Sequence, residues 1–157
     1  LKQGVNNKEN DAMKFADLHP GMIIEAGPRR IEEGEMLAFA RSYDPQWFHV
    51  DGKAAGEGRF GALIASGWQT CGIAMELAVR AVLHDSESFA SPGVEQVRWP
   101  HPVMSGDELR LRAEVLEVRT SRSRPELGVL RWRWHLLNQD GKEVLELTAT
   151  SLFDLKP

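Results

Sequence analysis

Two proton-transfer side chains stand with four residues between them in Tyr43-Asp44-Pro45-Gln46-Trp47-Phe48-His49-Val50-Asp51. A carboxylate and an imidazole held together grip one water and exchange protons with it, each tuning the other's pKa. A second stretch, Phe60-Gly61-Ala62-Leu63-Ile64-Ala65-Ser66-Gly67-Trp68, brings a glycine to the head of an apolar run. The first amides of a helix lack intrahelical partners and sit in positive potential, so a glycine amide there is a candidate donor to a developing oxyanion. Acid, imidazole and free amide are the parts needed to add water to an activated double bond or to remove it. The bland reading is that Asp44 only ends a helix before Pro45, that His49 is a loop histidine, and that Gly67 serves close packing.

The elements around these residues follow from periodicity and punctuation. From Glu32 the pattern is helical, with Glu32, Glu33 and Glu35 in the first turn and Met36, Phe39, Ala40 and Tyr43 on one face. Pro45 disfavours a helical Asp44 and ends that helix, so Asp44 sits at the mouth of a loop that carries the chain through Phe48 to His49. Asp51 has the type and place to cap a short turn through Ala54 and Ala55. Ser66-Gly67-Trp68-Gln69 has the spacing of a capping box, in which Gln69 reaches back to the Ser66 amide and the Gly67 N–H is left unassigned. A helix over Gly67 to Leu83 follows, polar along Gln69, Glu76 and Arg80 and apolar elsewhere, which other structure must wrap.

Strand patterns occupy the remainder. Met22 to Ala26 is a short strand ended by Gly27-Pro28, and a loop over Asp85 to Gly93 leads to a strand at Val94 to Trp99. Leu109, Leu111, Ala113 and Val115 alternate with charged residues before the apolar phase shifts to Leu116 and Val118, which predicts a bulge. Leu130 to Leu136 alternates again, Asp140-Gly141 turns, and Leu145 to Phe153 completes an antiparallel meander with one apolar face. One buried helix and a long amphipathic meander imply an α+β domain in which the antiparallel sheet wraps the helix.

Composition bounds the rest. The chain has 157 residues, 42% hydrophobic and 27% charged, which suits one domain over residues 13–157 behind a polar, aperiodic arm over residues 1–12. A net charge of -4 with arginines scattered among acids disfavours nucleic-acid binding. The most apolar stretch, Phe60 to Val82, is interrupted by Gln69, Glu76 and Arg80 and reads as a core helix, not a membrane span. The single cysteine, Cys71, forms no internal disulfide; with no signal peptide visible, a reducing cytoplasm is expected.

Taken together, Tyr43 to His49, Phe60 to Gly67, and Val97-Arg98-Trp99-Pro100-His101-Pro102-Val103 with Gly106-Asp107 resemble the MaoC-like acyl dehydratases, the (R)-specific enoyl-CoA hydratase group of the hotdog fold. The resemblance spans roughly Phe15 to Phe153. It implies reversible hydration of a 2-enoyl-CoA, with Asp44 as water-activating base, His49 as partner and proton donor, and the Gly67 amide as oxyanion donor. By the same resemblance Phe60, Ser66, Trp68 and Met75 are expected substrate contacts. No metal or redox cofactor is implied, CoA enters only as part of the substrate, and the assembly is a homodimer or dimer of dimers with sheets joined edge to edge.

The pattern departs from the family at Gln46-Trp47, where well-known members have Asn-Pro, and at Met75, where they have serine, leaving open a bulkier substrate or an inactive relative. Two other functions stand beside hydration. One is a hotdog acyl-CoA thioesterase using Glu76 on the central helix, a residue equally suited to pairing with Arg80 one turn on. The other is a noncatalytic acyl-CoA-binding subunit. Asp44, His49 and Asp51 lack the further clustered ligands of a metal site, Arg59, Arg98, Arg131 and Arg133 suit a solvent face as well as CoA phosphates, and Trp132 and Trp134 suit the core or a dimer contact.

Overall fold

The structure is a computed structural model that describes residues 12–156, so the arm expected over residues 1–12 lies almost wholly outside it. After a 3-10 turn at Phe15–Asp17 come β1 (Ile23–Arg30), α1 (Glu33–Tyr43), the short helices α2 (Trp47–Val50) and α3 (Gly52–Glu57), the long helix α4 (Gly67–Ala78), and strands β2 (Ser88–Arg98), β3 (Glu108–Thr120), β4 (Leu127–Leu137) and β5 (Glu143–Asp154). The strands form one antiparallel sheet in the order β1-β3-β4-β5-β2. Its inner face presents Leu109, Leu111, Ala113, Val115, Leu130, Trp132, Trp134, Leu145 and Leu147 to Ile73, Ala74, Leu77 and Ala78 of α4. The sheet wraps the helix, as the amphipathic meander requires, and α4 is anchored in the core by one face.

Several local expectations hold. The bulge falls between Val115 and Glu117, where the β3–β4 register shifts. Asp51 caps α3, its Oδ1 accepting from Lys53 N at 3.1 Å and Ala54 N at 3.0 Å. Trp132 and Trp134 are core, with the Trp132 indole N–H donating to Ser151 Oγ at 3.2 Å.

Others are corrected. β1 does not stop at Gly27-Pro28: it runs on to Arg30 through a cis Gly27–Pro28 bond, with a register shift between Ala26 and Arg29. The expected loop over Asp85 to Gly93 joins β2 from Ser88, as an irregular edge strand in which Pro92 falls at a register shift against β5. Pro45 to Phe48 is only half a loop, since Trp47 begins α2 and the His49 amide donates to Gln46 O at 2.9 Å. The last turn of the central helix, Val79–Leu83, is π-helical. Among the described residues no helix is long and apolar enough to cross a membrane.

Candidate active site

Asp44 is delivered by the end of α1. Pro45 cannot donate an amide and pushes Asp44 out of helical geometry, so the chain turns and presents the Asp44 side chain sideways, with its own N–H still bonded to Ala40 O at 2.8 Å. One turn of α2 then returns His49 beneath it. The gap between the two motifs is closed by backbone pairing. Ile64 N bonds Phe48 O at 3.4 Å, and Ala65 N bonds Val103 O at 2.8 Å, which holds the Leu63–Ser66 segment between the His49 turn and the wall formed by residues 99–103.

Three side chains converge on one carboxylate. Gln46 Nε2 donates to Asp44 Oδ1 at 2.8 Å, and Ser66 Oγ donates to Asp44 Oδ2 at 2.7 Å. His49 Nε2 stands 3.2 Å from the same Oδ2. The other nitrogen of the ring, Nδ1, lies 2.8 Å from the Ile64 carbonyl oxygen. A carbonyl only accepts, so Nδ1 carries a proton, and the contact of Nε2 with a carboxylate oxygen is attractive only when a second proton lies between them. The pair stands at one end of a cleft. The carboxyl of Asp44 is held below the ordinary carboxylate range, first by the Gln46 amide, then by the Ser66 hydroxyl and the His49 charge, against a rise from burial.

The cleft has a volume of about 370 Å³. Asp44, Gln46 and His49 form one end, Gly67 and Thr70 the α4 side, and Trp99 to Val103 the opposite wall. Ser66 caps α4, accepting from Trp68 N at 3.3 Å, and the Gly67 N–H meets no hydrogen-bond acceptor among the described residues. That amide opens α4 at the positive end of its dipole. The expected capping box does not form: among the described residues Gln69 Oε1 has no partner, because Gln69 is turned into the buried side of the helix. Gly67 also serves packing, since a Cβ there would lie 2.5 to 2.9 Å from three ring carbons of Trp99.

Of the residues expected to contact substrate, Phe60 and Trp68 line the cleft, 47% and 61% exposed, and Trp68 meets Trp99 edge-on with ring centroids 5.5 Å apart. Ser66 is 0% exposed, and its hydroxyl is spent on Asp44. Met75 lines an apolar groove with Cys71, Gly72 and Trp134 that adjoins the cleft at Trp68 and includes neither Asp44 nor His49. Glu76 is outside the cleft too, its carboxylate shared by Arg29 and Arg80. Arg59, Arg98, Arg131 and Arg133 do not line the cleft. Missed by sequence reasoning were Gln46 as a direct partner of Asp44, the Ile64 carbonyl that orients His49, and Thr70, Trp99 and His101 in the cleft wall. Gln46 carried a signal, standing where well-known members of the family have an amide side chain.

A five-stranded antiparallel sheet wrapped on one helix, with an acid–imidazole pair against that helix's N-terminus, defines a hotdog protein. The chain belongs to the MaoC-like domain family, whose model matches residues 9–130. It is 31% identical over 134 residues to the uncharacterized protein YdeM of Bacillus subtilis, covering 85% of this chain and 94% of YdeM. The solved MaoC-like dehydratase from Rhodospirillum rubrum is similar with 37% identity and a TM-score of 0.82, over 90% of this chain and 97% of that one. A shorter match, 33% identical over 88 residues, is to 3-hydroxyacyl-thioester dehydratase Z of Mycobacterium tuberculosis, covering 55% of this chain and 58% of that protein.

Proposed function

We propose that this protein is a hydro-lyase that adds water reversibly to a 2-enoyl thioester, with Asp44, His49 and the Gly67 amide as its working groups. The observation that carries the reading is the 3.2 Å approach of His49 Nε2 to Asp44 Oδ2 at the end of a cleft that Gly67 also lines. In the hydration direction Asp44 takes a proton from water as the water oxygen bonds to Cβ. His49 gives its Nε2 proton to Cα, and the Gly67 N–H bonds the thioester oxygen while charge builds there. Asp44 is then protonated and His49 neutral, and transfer across the same contact restores the pair. The reverse sequence is dehydration of a 3-hydroxyacyl thioester.

The mycobacterial relative's name, a hydroxyacyl-thioester dehydratase, supports the reaction class. CoA is the carrier proposed, as part of the substrate; the mechanism assigns no step to a metal or redox cofactor. Nothing favours the thioesterase alternative, because Glu76 is engaged by two arginines away from the cleft. The proposed assembly is a homodimer joined along β2, an outer strand that leaves Phe89 59% and Val94 51% exposed and offers an unpaired backbone edge. A cytoplasmic location is proposed with it. The functional test is hydration of crotonyl-CoA, followed by loss of the conjugated-thioester absorbance. Release of free thiol with that absorbance intact would mean hydrolysis, and binding without either reaction would mean a noncatalytic subunit.

A further inference from the structure

Of the three working groups assigned above, the Gly67 amide has no side chain of its own to hold it. Glycine has the widest backbone freedom of any residue, so the direction of its N–H is set by what packs against it. On one side the approach to α4 is tied down: Ser66 Oγ donates to Asp44 Oδ2 at 2.7 Å, and Ala65 N donates to Val103 O at 2.8 Å. On the other side lies Trp99. A Cβ on Gly67 would fall 2.5, 2.7 and 2.9 Å from Cε2, Cδ2 and Cζ2 of Trp99, so the indole fills the space that a side chain at residue 67 would take. The same ring meets Trp68 edge-on, with centroids 5.5 Å apart and planes at 76°. One indole thus rests against the first two residues of α4.

Trp99 is itself anchored. It follows directly on β2 and precedes Pro100, whose ring disfavours a helical conformation at Trp99. Two residues on, His101 Nδ1 lies 2.9 Å from the Glu143 carbonyl oxygen on β5, and two further on Val103 O takes the Ala65 amide. Segment 99–103 is therefore fastened both to the sheet and to the approach to α4, and it carries the indole onto Gly67. Resting on the hydration reading above, we propose that Trp99 is a positioning residue for the oxyanion donor: its indole, packed on Gly67, fixes the direction of the Gly67 N–H. Trp99 moves no proton. Its effect falls on the transition state, where charge on the thioester oxygen is greatest. A correctly aimed oxyanion donor contributes about 10²- to 10³-fold in kcat, and a donor left in place but loosely aimed forfeits part of that.

Trp99 is 42% exposed, so its replacement leaves the core intact. Trp99→Ala should lower kcat for hydration of crotonyl-CoA by about 10- to 100-fold with KM changed by no more than about threefold. Trp99→Phe, which keeps a flat ring over Gly67, should recover most of that loss. A loss carried by KM with kcat unchanged would make Trp99 a substrate contact only, and equal losses in kcat for the two variants would deny the ring its part; either overturns the proposal. Acetoacetyl-CoA reads the amide without turnover. Its enolate absorbs in the near ultraviolet, and a donor aimed at the thioester oxygen raises the enolate fraction of the bound ligand above that of the free ligand at the same pH. At saturation the wild type should show that excess, Trp99→Ala should lower the enolisation constant by about tenfold or more, and Trp99→Phe should keep it near the wild-type value. An enolate fraction that is the same in wild type and Trp99→Ala overturns the proposal. If the wild type does not hydrate crotonyl-CoA, the reaction assignment fails, while the enolate band still decides the role of Trp99.

Discussion

Replacing Ser66 by alanine tests how the helix cap and the acid are joined. The Ser66 hydroxyl has two tasks, accepting from Trp68 N at 3.3 Å as the α4 cap and donating to Asp44 Oδ2 at 2.7 Å. The capping bond is long, so its loss costs about 0.5 to 1 kcal/mol. Hydrogen bonds to a charged group contribute about 1.5 to 3 kcal/mol; because Asp44 retains Gln46 and His49, the lower figure applies. The sum is about 2 kcal/mol, or a fall in Tm of about 4 to 8 °C for a domain of this size. Asp44's carboxyl is depressed in the fold, so it contributes stability above the ordinary carboxylate pKa, and that contribution is lost as pH falls through the depressed value. The gap in stability between wild type and Ser66→Ala should therefore narrow in acid. In activity, loss of the hydroxyl raises the Asp44 pKa, moves the acid limb of kcat/KM upward, and lowers hydration at neutral pH by about tenfold through looser positioning of the base. Thermal unfolding across pH and the pH profile on crotonyl-CoA measure both. An unchanged Tm together with an unshifted acid limb would refute the coupling.

Gln46→Met removes the strongest of the influences that depress Asp44, so its acid limb should move up further than that of Ser66→Ala, read in the same pH profile. Gly67→Ala places a methyl within 2.5 to 2.9 Å of the Trp99 ring, so it should lower Tm and activity. In a Trp99→Ala background the Tm cost should shrink, a non-additivity that a double-mutant cycle by thermal unfolding detects. Glu76→Gln should keep hydration within about twofold and cost no more than about 1 kcal/mol, because its ion pairs with Arg29 and Arg80 are partly solvated. Phe89→Asp or Val94→Lys on β2 should shift the species seen by light scattering at micromolar concentration from dimer to monomer; a wild-type monomer would contradict the assembly.

What the sequence disclosed is what short-range physics controls. Pro45 ends α1 at Asp44, Asp51 caps α3, α4 starts at Gly67, and the phase change near Leu116 marks the bulge, because each depends on dihedral limits or side-chain period within a few residues. The contacts that make a site are of another kind. Ser66 reaches Asp44 across 22 positions and His49 reaches Ile64 across 15, so no window on the chain contains them. Capping spacing suggested a bond from Gln69, yet burial of its helix face won over the cap. The place of Met75 depends on rotation about the helix axis, set by what the sheet buries, which puts it in an apolar groove adjoining the cleft at Trp68. His101 stands between two prolines, and its place in the cleft wall depends on the Glu143 carbonyl on a distant strand.

The account rests on Asp44 and His49 acting as one proton-transfer unit. Hydration of crotonyl-CoA by wild type, Asp44→Asn and His49→Gln, followed by loss of the conjugated-thioester absorbance, measures this most directly. A fall of about 10²- to 10⁴-fold in kcat in each variant, with the fold intact by circular dichroism, is the predicted result. Variants that hydrate crotonyl-CoA at the wild-type rate would contradict it.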